Sequence, residues 1–135
     1  MPLRLQIVTP QAKVFDAEVE TVVLPTVQGE VGILPGHLPL LTMIQAGELR
    51  VVQNGATNYL AVSKGFAEVS NDRLSVLTES AIDVEEIDEA QVEEAIASAR
   101  AALEEAENTD PEELERLETQ IQYATAQLLL RKKKR

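Results

Sequence analysis

The chain has 135 residues, 44% of them hydrophobic and 26% charged, which is enough to bury the core of one domain or of one small domain with an appendage. It has no Cys, no Trp, a single His and only 3% aromatic residues, which excludes disulfides, thiolate metal sites and cysteine nucleophiles and argues against stacking on nucleic-acid bases. A net charge of -11 repels phosphates, so nucleic acid is not expected as a partner.

The opening MPLRLQIVTP lacks a charged segment followed by a long apolar one. No apolar run approaches the roughly 20 residues that span a bilayer, so membrane association is expected only through partners. Leu3, Leu5 and Ile7 alternate with Arg4 and Gln6, the period of a strand buried on one face. Val19 to Leu24 is rich in β-branched residues, and Leu49 to Val52, Asn58 to Val62, Phe66 to Val69 and Leu74 to Leu77 follow. Turn signals at Pro10, Pro25, Gly29, Gly36, Asn54-Gly55 and Asn71-Asp72 separate them, and Asn-Gly suits a two-residue hairpin because both residues tolerate positive φ. Short strands at this spacing predict a sandwich or barrel.

Near Ile82 the period changes from two to about 3.6. Asp88 followed by Gln91 forms a capping box, with Val92, Ile96, Ala99, Leu103 and Ala106 on one helical face. Asn108 and Thr109 break that helix. Asp110-Pro111-Glu112-Glu113 then supplies an N-cap, a proline at the first helical position and an acidic first turn. Leu114, Leu117, Ile121, Ala124 and Leu128 step by three and four, so the second helix carries an apolar seam for the first. The loop is too short for anything but an antiparallel pair, and Ser80 to Glu86 reads as a hinge. The fold class is α+β: a β-sandwich of nine or ten strands over residues 1–83, then an antiparallel α-helical hairpin over 84–135, with helices at about 88–107 and 111–132. Charge follows the same division, because residues 1–82 carry -3 and residues 83–135 carry -8, even though the last five residues are all basic.

The segment QGEVGILPGHLPLLT at Gln28 to Thr42, preceded by VVLP at Val22 to Pro25, resembles the epsilon subunits of F-type ATP synthases. IVTP at Ile7 to Pro10, Phe15-Asp16-Ala17, Gly47-Glu48-Leu49-Arg50 and Ser63-Lys64-Gly65-Phe66 extend the resemblance over the whole β domain. The glycines and prolines of the main segment read physically as a sharply turned loop that displays backbone and pins Leu38, Leu40 and Leu41. The resemblance implies that this segment meets the gamma subunit and the c-ring, with Glu30, Val31, Gly32, His37 and Leu41 as contacts and Glu30 foremost toward the c-ring. His37, a lone histidine between Gly and Leu, is read as a structural or gamma-facing loop residue rather than a base or metal ligand.

Two features depart from the family pattern. The ATP-binding stretch of several bacterial epsilon subunits begins Ile-Asp and continues, after two residues, with Arg-Ala; Ile87 and Asp88 match it, but Gln91 and Val92 stand where Arg and Ala would, so ATP binding is not expected. The family's second helix can extend with gamma into the alpha/beta catalytic head and meet the beta subunit through basic side chains. Here that charge is confined to Arg131, Lys132, Lys133, Lys134 and Arg135, the only candidates for an inhibitory tail and equally a favourable end for the helix dipole. The expectation is a non-catalytic rotor subunit that couples gamma to the c-ring and modulates ATP hydrolysis, without cofactor or metal. It is placed on the cytoplasmic face of an energy-coupling membrane, bacterial or, in second place, thylakoid. The rivals are a free-standing adaptor with an oligomerising hairpin and a small acid/base enzyme using Glu30 with His37.

Overall fold

The computed structural model describes residues 2–105 and 110–134. Ten strands come first: β1 (Leu3–Val8), β2 (Lys13–Val19), β3 (Thr21–Thr26), β4 (Gly29–Ile33), β5 (Leu40–Ile44), β6 (Gly47–Gln53), β7 (Ala56–Val62), β8 (Gly65–Ser70), β9 (Arg73–Thr78) and β10 (Ala81–Asp83). A 3-10 turn at Val84–Glu86 leads to helices α1 (Glu89–Glu105) and α2 (Pro111–Lys133).

The strands run β10-β7-β6-β3-β5-β8-β9-β1-β2, with β4 on the other side of β3. All pairs are antiparallel except β1 with β9. This is one continuous sheet folded over itself, and the fold line is β3. Its first half pairs with β6 through Thr21 to Val23, and its end meets β5 at Thr26 and Ile44. The outcome is a nearly closed sandwich of the expected strand number. Inside lie Leu3, Leu5, Ile7, Val22, Leu24, Ile33, Leu49, Val51, Leu74 and Val76, all fully buried. The aliphatic alternation read in the sequence therefore fills this core without aromatic help. The edge strand β2 is blunted by charge: Asp16 accepts from Arg4 at 2.8 Å and lies 3.3 Å from Lys13. The hydrogen bond from Arg4, against opposing desolvation and with help from Lys13, holds the Asp16 carboxyl below the ordinary value.

Both helix starts follow the sequence signals. Asp88 accepts from the Ala90 and Gln91 amides at 3.0 and 3.3 Å, and Asp110 accepts from the Glu112 amide at 3.1 Å with Pro111 behind it. Of the expected α1 face, Val92, Ile96 and Ala99 are buried and Leu103 is half-buried; Ala106, Asn108 and Thr109 lie outside the described residues. The helices pack on each other and α2 packs on β7, and a second core gathers Ala61, Val84, Ile87, Val92, Ile96, Ala124 and Leu130. The expected hinge is thus occupied by β10, hydrogen-bonded along β7, and by a turn whose Val84 and neighbouring Ile87 anchor this core.

One expectation is corrected. The glycine-rich segment is not a single turned loop, because Gly29 to Ile33 is strand β4, paired with β3 through Val22 to Thr26. Gly29 and Gly36 do need their positive φ of 109° and 82°, but Gly32 has an ordinary φ and open space around it. Leu38 and Leu41 are also not pinned: they are 78% and 68% exposed.

Candidate functional site

The sandwich has two outer faces, and they have different fates. Residues of β6, β7 and β10 that point away from the sandwich core are covered by the hairpin: Ala61 is fully buried, and Tyr59 and Ile82 pack against the second core. On β5, β8 and β9 the outward residues have no such cover. Met43 is paired with Phe66, and Phe66 with Leu77, so that one apolar row crosses three strands. Their exposures are 53%, 51% and 55%. Val8, paired with Leu77 on β1, extends the row, and a groove of about 580 Å³ lies along it. Leu41 occupies the next row opposite Glu68. Single exposed apolar side chains are ordinary, whereas a contiguous patch of this kind marks a contact surface.

Gly65 and Thr78 hold the end of this patch together. A Cβ at Gly65 would fall on the carbonyl of Leu77 and 2.8 Å from the Thr78 Cα, which explains the glycine beside Phe66. The Thr78 hydroxyl, buried, donates to the Ser63 carbonyl at 2.8 Å, with those of Lys64 and Ser80 at 3.2 Å.

The loop from Leu34 to Pro39 flanks the same strands. Asp72 accepts from the Gly36 amide at 2.6 Å, which ties this loop to the β8–β9 turn, where Asn71 and Asp72 both have positive φ. Within the loop the His37 amide donates to the Leu34 carbonyl at 3.1 Å, and the ring Nδ1–H donates to the Leu38 carbonyl at 2.7 Å. The proton is placed on Nδ1 because a carbonyl can only accept. No group of three or more potential metal ligands occurs among the described residues.

Glu30 and Gly32 are exposed on β4, while Val31 is half-buried against the sandwich core. The Glu30 carboxylate lies 3.0 Å from Nη1 of Arg50, and Glu48 lies 2.9 Å from the same nitrogen. Partial burial works against the Arg50 charge, but hydrogen bonds and attraction from Glu48 and Glu30 raise its pKa overall. Glu48 also meets Lys133 of α2 at 3.5 Å. Glu30 and His37 consequently serve different partners, which leaves an acid/base pair without a geometric basis.

The basic end of α2 is largely engaged. Lys134 sits 3.8 Å above the Tyr59 ring, a cation–π contact. Arg131 and Lys134 line a cleft with Asp83 and Glu85, and Lys132 is exposed; Arg135 lies outside the described residues. A second ion pair, Lys64 with Glu115 at 3.1 Å, ties the N-terminal part of α2 to the β domain. Tyr123, packed beside the second core, has its phenol pushed up to about 12 by burial. At the nucleotide-motif positions, Ile87 and Val92 are buried in the second core, Asp88 caps α1 and Gln91 faces solvent. Arg116 is paired with Glu113.

The apolar row, Arg50, Glu48 and Tyr59 were not among the sequence candidates. The row had a signal: Phe66 and Leu77 are large hydrophobics at positions whose neighbours Ala67 and Val76 take the inward phase. Arg50 and Glu48 stood within a segment that carries the resemblance, but nothing in it pointed to their pairing, because that comes from what β4 and α2 place beside them.

Residues 2–84 match the family model for the β-sandwich domain of the ATP synthase delta/epsilon chain. An ATP synthase epsilon chain from Herpetosiphon aurantiacus is 42% identical over all of this chain and 98% of its own length. Those of Granulibacter bethesdensis and a Synechococcus strain are 38% and 39% identical, over 90% and 96% of this chain and 91% and 92% of theirs. Among solved structures, a chain of the Euglena gracilis mitochondrial ATP synthase, from an assembly of OSCP, F1 and c-ring, superposes with a TM-score of 0.72 at 23% identity, covering 93% of this chain and 78% of its own.

Proposed function

Because the chain belongs to the epsilon-chain family of the ATP synthases, and so is a non-catalytic subunit of that complex, we propose that it sits in the central stalk and joins gamma to the c-ring. It would be held at the membrane only through those partners, and among the described residues no helix is long and apolar enough to cross one. The observation that carries this reading is the asymmetry of the two outer faces. The hairpin covers one, and the bare row Met43–Phe66–Leu77, with Leu41 beside it and Leu38 on the flanking loop, is the face that offers gamma an apolar seat. Glu30, exposed at the far side of β4, is the contact assigned to the c-ring. Hydrolysis of ATP belongs to other subunits, and the hairpin modulates it by leaving β7 and extending toward the alpha/beta head.

The test is co-purification. Co-expressed with the gamma subunit of the same synthase, the chain should elute as a stoichiometric complex, and Phe66→Asp should abolish that complex while leaving thermal unfolding of the free chain unchanged. A stable homo-oligomer that ignores gamma would instead support a free-standing adaptor.

A further inference from the structure

We infer that the row Glu30–Arg50–Glu48–Lys133 is a relay through which the charge at exposed Glu30 sets how firmly the end of α2 is held on the β domain. Glu30 and Glu48 share one nitrogen of Arg50, at 3.0 and 2.9 Å, and the other Glu48 oxygen faces Lys133 at 3.5 Å. The four charges alternate in sign and sum to zero. If Glu30 is neutralised, the remaining row carries one excess positive charge, and Arg50 is left to Glu48 alone. Both effects weaken the hold of Glu48 on Lys133. Glu48 is the residue that makes this more than a surface arrangement: its side chain is 15% exposed, against 57% for Glu30 and 59% for Lys133, so the central charges are screened less than the terminal ones.

The consequence is a coupling between two parts of the chain that do not touch. A cationic side chain that engages Glu30 would act as neutralisation does and loosen the far end of the hairpin, whose other anchors among the described residues include Leu128, Leu130 and the Lys134 contact with Tyr59. This step rests on the reading of Glu30 as a docking residue. The coupling within the chain does not.

A double-mutant cycle on the free full-length chain tests it. Hydrogen exchange of the last turns of α2 is measured in wild type, Glu30→Gln, Lys133→Gln and the double variant. Both residues are exposed, so neither substitution threatens the fold. Glu30→Gln should speed exchange roughly two- to threefold, the size expected of a surface ion pair. It should add nothing once Lys133 is Gln, and the difference should vanish at about 1 M salt, where the screening length falls to about 3 Å. An equal increase in both backgrounds, no increase in either, or one that survives high salt overturns the relay. Retention of the c-ring by an assembled Glu30→Gln complex is a separate measurement, and its result bears on docking alone.

Discussion

Tyr123 is the residue at which the docked state of the hairpin has a titrating reporter. Its phenol is raised from 10.0 to about 12 because burial disfavours the phenolate. A raised folded-state pKa means that the folded form binds the proton more tightly. The contribution to stability is therefore complete below pH 10 and lost as pH rises toward 12. Tyrosinate absorbance should show a component titrating near 12 that Tyr123→Phe removes, and the hairpin should undock over the same interval. Loss of docking in Tyr123→Phe at the same pH as in wild type would mean that another group carries the alkaline transition. Other single positions are explained by contacts made across the fold. Gly65 gives room to the backbone of β9, and Asp72 ties down the loop of His37. In the sequence, Asp72 was legible only as a turn signal and Gly65 only as part of the segment Ser63 to Phe66 that carries the resemblance.

At the scale of elements, β7 shows how the halves are joined. Leu60, Ala61 and Val62 are buried consecutively, which an amphipathic edge of a two-layer sandwich would not show. Leu60 and Val62 face the sandwich core and Ala61 faces the hairpin. A small side chain there lets α2 approach the sheet. Ala61→Leu should consequently weaken hairpin docking by about 1–3 kcal/mol while the sandwich itself keeps its cooperative unfolding. Limited proteolysis would show faster cleavage within residues 110–134 and an intact β domain; cleavage unchanged from wild type would mean that α2 does not rest on Ala61. The run Leu60-Ala61-Val62 was visible in the sequence as a strand, but nothing local distinguished burial on two faces from burial on one. The starts of the helices were legible, because their caps, Asp88 and Asp110 with Pro111, act on amides two or three residues away.

On the scale of the whole molecule, the basic end of α2 has two competing uses if the hairpin extends as proposed. Docked, Lys133 and Lys134 hold the helix to Glu48 and Tyr59. Extended, the same charges would be the ones available to an acidic surface of the catalytic head. Deleting residues 131–135 should remove both the docked contacts and the proposed inhibitory contact, and the assembled complex should then hydrolyse ATP faster. Hydrolysis unchanged by the deletion would leave the tail with the structural role alone. The acidic first turn of α2, with Glu112 and Glu113 at the N-terminus, favours the helix in either position and so does not decide between them.

By itself the sequence determined what depends on neighbours along the chain: which segments are strands, where helices begin, the division into a β half and a helical half, and through one glycine-rich segment the family. Tertiary structure alone decided that Gly29 to Ile33 of this segment is a paired strand, that outward Met43, Phe66 and Leu77 form one apolar row, and that Glu30 and Lys133 are joined through Arg50 and Glu48. The reason is physical. Periodicity and turn chemistry are local, whereas a shared face is created by strand register and helix docking between residues as far apart as Glu48 and Lys133.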